Sequence, residues 1–76
     1  MIENLPNYDE YKDLIEDYTP IELKRAYRAL HDKAYANFLF EMNNISLLVF
    51  LTDVRMQEKL HMYFDDMELL ETNKEI

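Results

Sequence analysis

The chain contains no cysteine, no glycine and no tryptophan, and only two prolines. Each absence excludes something. Without cysteine, no disulfide can reinforce the core and no thiolate can hold a metal or act as a nucleophile, so a reducing compartment is the expected setting. Without glycine, the positive-φ turns of tight hairpins lose their usual residue, which argues against a many-stranded sheet and for helices joined by short links. Serine occurs once, at Ser46, inside the apolar run Ile45 to Leu51, where it reads as a helix-start residue rather than a nucleophile. That run is the longest apolar stretch and falls far short of the ~20 residues that a membrane-spanning helix requires. Met1-Ile2-Glu3-Asn4 lacks the basic start and apolar core of a signal peptide, so the expectation is a cytoplasmic protein without membrane insertion.

What the chain does have suffices for one core. Its 76 residues are too few for two, and 49% hydrophobic content with six Tyr and four Phe argues against disorder. The net charge of −8 is unevenly placed. Residues 1–22 carry seven acids against Lys12, residues 23–62 carry six bases against four acids, and residues 63–76 carry five acids against Lys74. Acidic ends around a mildly basic middle repel nucleic acid and attract basic proteins. Such charge also serves plain solubility.

Hydrophobic spacing and capping signals predict three helices, at about 7–18, 20–42 and 45–70, with a short frayed C-terminal tail. The first starts at Asn7, with Glu10 as its reciprocal capping partner. Tyr8, Tyr11, Leu14, Ile15 and Tyr18 form its apolar stripe, and Asp9, Glu10, Asp13, Glu16 and Asp17 occupy the opposite side. Thr19-Pro20-Ile21-Glu22 is the strongest start signal: an N-cap, a proline at the first helical position and a capping box. Leu23, Ala26, Tyr27, Leu30, Ala34 and Phe38 then follow one face of a continuous second helix. The Asn43-Asn44 pair provides the reversal, because asparagine tolerates the left-handed conformation. Val49, Met56, Leu60, Tyr63, Met67 and Leu70 make the seam of the third helix. A hairpin formed by 38–42 and 45–51 is the competing arrangement. The fold class is therefore all-α: a small three-helix domain in which a short acidic helix precedes a long helical hairpin.

Material for catalysis is sparse, and no enzyme activity and no cofactor are expected. Glu58-Lys59-Leu60-His61 has the E-x-x-H spacing of helical di-iron sites, but those need a second copy and two more glutamates. It reads as a surface triplet in which Glu58 and Asp65 flank His61. His31 reads as a structural hydrogen-bonding residue. Lys24, Arg25, Arg28 and Lys33 offer a small basic group that could contact phosphate, with Asp32 among them to neutralise it.

Glu22-Leu23-Lys24-Arg25-Ala26-Tyr27-Arg28-Ala29-Leu30 resembles the second helix of J-domain co-chaperones, and Leu51-Thr52-Asp53 is similar to the end of their third. The His-Pro-Asp signature that defines the family's activity is missing. His31-Asp32-Lys33 stands in its place, inside what reads as continuous helix, so no chaperone-stimulating activity is implied.

The leading functional expectation is a non-enzymatic module whose acidic helix, through Asp9, Glu10, Asp13, Glu16 and Asp17, binds a protein partner with a basic surface. A partner that handles nucleic acid fits this expectation, since a carboxylate array imitates phosphates. Small phage and mobile-element antagonists are the analogy. The second expectation is a homodimer assembled through Phe38, Leu39, Phe40, Leu47, Leu48, Val49, Phe50 and Leu51, because three helices have difficulty covering so many large side chains. Direct nucleic-acid binding through Lys24, Arg25 and Arg28 ranks third.

Overall fold

A computed structural model of the protein describes residues 2–74, with side chains placed for residues 2–72. A short 3-10 turn at Ile2–Asn4 leads into α1 (Tyr8–Asp17), α2 (Pro20–His31), α3 (Lys33–Glu41), α4 (Ile45–Thr52) and α5 (Val54–Lys74). The described residues include no strand, so the hairpin alternative is not the fold. None of their helices is long and apolar enough to cross a membrane. α5 continues through Leu70 to Lys74, where a frayed tail was expected; residues 75 and 76 lie outside the described part.

Three expected helices become five because both long ones are interrupted, each at an aspartate. Asp32 (φ −138°, ψ 102°) and Asp53 (φ −105°, ψ 104°) are single extended residues between helices. Each caps the helix it begins, Asp32 Oδ1 accepting from the Tyr35 N–H and Asp53 Oδ1 from the Met56 N–H, both at 3.2 Å. Aspartate is a poor interior residue and a good N-cap, a side-chain acceptor contributing about 1 kcal/mol there. The break at Asp32 also resets the helical phase. The stripe of α2 buries Leu23, Ala26 and Ala29, but in α3 the buried residue is Leu39, with Tyr35 and Ala36 beside it. Ala34 and Phe38, expected on the inner face, are exposed.

The other junctions follow the local chemistry more closely. Thr19 and Glu22 form the reciprocal capping box, at 3.2 and 2.9 Å. Between α3 and α4, Asn43 takes φ 58°, while the Asn43 N–H donates to Phe40 and the Asn44 N–H to Leu39. That pattern is a Schellman closure with asparagine where glycine is usual. The Asn44 carbonyl accepts from the Leu47 and Leu48 N–H groups, but its side chain makes no cap bond; Oδ1 accepts instead from Ser46 Oγ at 3.2 Å.

The core gathers Tyr11 and Leu14 from α1, Leu23, Ala26 and Ala29 from α2, Leu39 from α3, Leu47 and Phe50 from α4, and Leu60 and Tyr63 from α5. α4 is central, packed on α2, α3 and α5, while α1 lies along α5. Asn7 reaches Asp66 and Asp13 reaches Lys59, so α1 and α5 run antiparallel. Tyr18 closes the far end of α1, its ring edge-on to Phe50 at 5.2 Å and its hydroxyl donating to the Ser46 carbonyl at 3.1 Å.

One polar group enters this core. Asp66 is 3% exposed and accepts three hydrogen bonds: from the Asn7 N–H (2.9 Å) and the Tyr11 hydroxyl (2.8 Å) at Oδ2, and from Asn7 Nδ2 (3.0 Å) at Oδ1. The cap of α1 is thus supplied by another helix, not by the expected Asn7–Glu10 box: Asn7 makes no side-chain cap bond, and Glu10 turns to Arg55. Burial and then the bond and charge of Asp66 push the Tyr11 phenol well above its ordinary range. A buried carboxylate is tolerated only when its oxygens are satisfied, and among the described residues no buried side-chain polar atom lacks a partner.

Asp66→Ala leaves the Tyr11 hydroxyl and Asn7 N–H unpaired, and is expected to lower the urea-unfolding free energy by about 3 kcal/mol. Asp66→Asn keeps one acceptor, with the Asn7 amide turned to meet the new donor, and should lose about 1 kcal/mol. Equal losses would mean that the hydrogen bonds are not what Asp66 contributes.

Candidate protein-binding surface

Five acidic side chains of α1 lie outside its buried Tyr11 and Leu14 stripe, and their surroundings divide them. Glu10 lies 3.2 Å from Arg55 Nη2 and Asp13 lies 2.7 Å from Lys59 Nζ, so both turn back onto α5. Asp9, with a side chain 91% exposed, has only a loose 3.9 Å contact with Lys12. Glu16 and Asp17 are exposed and have no ion-pair partner among the described residues. Of the expected array, the part open to a partner is Asp9, Glu16 and Asp17.

The two internal pairs differ in character. The Arg55–Glu10 pair is more than half exposed on the Arg side, and exposed pairs contribute only about 0–1 kcal/mol. Lys59 is shielded, with 19% of its side chain exposed. At Asp13, burial pushes the carboxyl up, but the Lys59 hydrogen bond and charge, with backbone donors, outweigh it and hold the group below the usual carboxylate range. Asp13 therefore stays ionised wherever a partner is met near neutral pH, and it does so facing α5.

The basic group is also partly engaged. Arg28 Nε lies 3.7 Å from Asp32, and its guanidinium sits 4.2 Å above the Tyr35 ring. Lys24 lines a groove with Asp65, Glu68 and Glu71. Arg25 and Lys33 are exposed.

The residues expected to mediate self-association separate in the same way. Leu39, Leu47 and Phe50 are in the core of the single chain, each no more than 2% exposed, so they offer no surface. Leu48, Val49 and Leu51 are half-buried against them. Phe38 and Phe40 are exposed, joined at the α3–α4 corner by Met42 and Ile45, which the expectation did not include.

The histidines have a placement that spacing alone missed. His31 and His61 face each other across α2 and α5 with ring centroids 5.5 Å apart, and each packs edge-on against Tyr27, which stacks on Phe64 at 4.4 Å. Tyr27 and His31 are one turn apart on α2, as His61 and Phe64 are on α5. Both spacings are visible in the sequence, but their pairing required the fold. Glu58 pairs with Arg55 at 3.6 Å. Among the described residues no three His, Asp or Glu side chains cluster in a way that could hold a metal ion.

Compared with known proteins, the chain matches no family model, no curated sequence and no solved structure.

Because the folded-state Asp13 carboxyl is depressed, its pairing stabilises the fold above the ordinary value of 3.8, and that contribution is lost as pH falls through the lower folded value. Lys59→Met should flatten the acid side of the stability profile below about pH 4 while leaving the Asp66 bonds intact. Urea titrations across pH 2–7 measure it; parallel profiles for the two proteins would show that the pair does not hold Asp13 down.

Proposed function

We propose that the protein is a non-enzymatic interaction module that binds a basic surface of a partner protein through the open acids of α1, inhibiting or regulating it. The observation that carries this reading is the placement of Glu16 and Asp17 in the last turn of α1, exposed and without an ion-pair partner among the described residues. Negative charge at a helix C-terminus opposes the macrodipole, at a cost of about 0.3–1 kcal/mol per residue. Among the described residues neither side chain makes a hydrogen bond or ion pair in return, and a local rule broken without such return is characteristic of functional positions. Asp9 lies two turns away on the same face and extends the array. A rigid row of carboxylates steers association with basic proteins and imitates the phosphates that a nucleic-acid-handling partner ordinarily holds. In this respect the protein is analogous to the small acidic antagonists of phages and mobile elements.

A second reading is self-association at the α3–α4 corner, favoured by the exposure of Phe38 (42%), Phe40 (56%), Met42 (61%) and Ile45 (72%). Large apolar side chains left exposed around one helix junction suit an interaction surface. Light scattering after size exclusion should show mass rising with concentration for the natural chain but not for Phe40→Ser/Ile45→Ser; a monomer throughout excludes this reading.

For the main reading, the natural chain and the triple variant Asp9→Asn/Glu16→Gln/Asp17→Asn are immobilised and exposed to native host lysate over a salt series. The natural chain should retain a basic protein that is released as salt rises, and the variant should lose it at low salt. Equal retention by both would contradict the proposal.

A further inference from the structure

We propose that the groove between α2 and the C-terminal half of α5 is a socket for an arginine side chain of the partner, an inference that rests on the acidic-module reading above. The groove has a volume of about 280 Å³, and Tyr27, Phe64 and Met67 contribute its apolar lining. The Tyr27 and Phe64 rings are stacked at 4.4 Å. Asp65, Glu68 and Glu71 line it from α5, with Lys24 as the single cation among the described lining residues. The volume is near the lower bound, roughly 300 Å³, for pockets that enclose small-molecule ligands, and suits one long side chain better. A lining that combines aromatic rings with carboxylates suits a planar guanidinium, which packs on rings while its N–H groups reach oxygens bidentately. A lysine ammonium is a compact, strongly hydrated charge and gains less from aromatic rings.

The protein already holds one of its own arginines by the same combination. The Arg28 guanidinium lies 4.2 Å above the Tyr35 ring while Asp32 approaches its Nε at 3.7 Å. The α2–α5 groove repeats these elements, aromatic rings and nearby carboxylates, with no arginine among its described lining residues. Among the described lining residues three acids stand against one base, which makes a cationic occupant the complementary one.

The test uses a short peptide of alternating arginine and alanine, and its lysine counterpart, titrated into the whole protein at low salt. NMR signals of the Phe64 and Tyr27 rings and the Met67 methyl report the groove; the amides of Glu16 and Asp17 report α1. The arginine peptide should bind about tenfold tighter than the lysine peptide and shift the groove signals. Asp65→Asn/Glu68→Gln, both exposed positions whose amides leave the fold intact, should abolish that preference. Equal binding of the two peptides, with shifts confined to α1, overturns the socket and leaves the acidic-module reading standing. No binding of either peptide to the natural chain overturns both.

Discussion

A single buried carboxylate organises this protein. Asp66 on α5 caps α1 from outside, takes the hydroxyl of the most buried tyrosine and holds the Asn7 amide, so three donors separated from it by most of the chain converge on one residue. α1 has only ten residues, and isolated helices shorter than about 12–15 residues are marginal in water. Tertiary anchoring must therefore hold it. Asp66 does so at one end, and Tyr18 against Phe50 and the Ser46 carbonyl does so at the other. The ion pairs along its flank add less, because solvent screens them and long side chains lose freedom in forming them. Removing Asp66 strands all three of its donors at once, which is why the fold is most sensitive there.

Much of this architecture was legible in the sequence, and the unread part has identifiable causes. The capping box at Thr19, the reversal at Asn43-Asn44 and the stripe of Tyr11 and Leu14 depend on neighbours within a few residues, and sequence shows those directly. The breaks at Asp32 and Asp53 depend on a competition. Helical periodicity on both sides favours continuation, and a side-chain acceptor that can cap the following turn favours interruption. In both cases the cap prevailed, and at Asp32 the reset of phase turned Phe38 outward and Leu39 inward. The role of Asp66 was hidden for another reason: its partners lie more than fifty positions away, and in sequence it is one acid among several on an acidic helix.

The surface shows the same division. α1 presents five acids to a reader of the sequence, but α5 brings Arg55 and Lys59 against two of them. The remaining acids sit at the ends of α1, and the C-terminal half of α5 adds Asp65, Glu68 and Glu71 beside aromatic rings. Negative potential is therefore carried by two separate groups of side chains on a narrow molecule measuring 41 × 23 × 19 Å. The apolar centre, which looked like an assembly surface, is mostly consumed in covering its own core; only the α3–α4 corner is left open.

If Asp66 makes α1 part of the core, the acidic helix is a fixed face of the molecule and not a tethered arm. Native-state amide hydrogen exchange measures this directly, because local opening and global unfolding give different protection. The amides of Leu14 and Ile15 in α1 should exchange with the same opening free energy as those of Leu60 and Tyr63 in α5, as one cooperative unit. Exchange of α1 orders of magnitude faster than α5 would contradict the claim, showing that the helix detaches while the rest of the core stays folded.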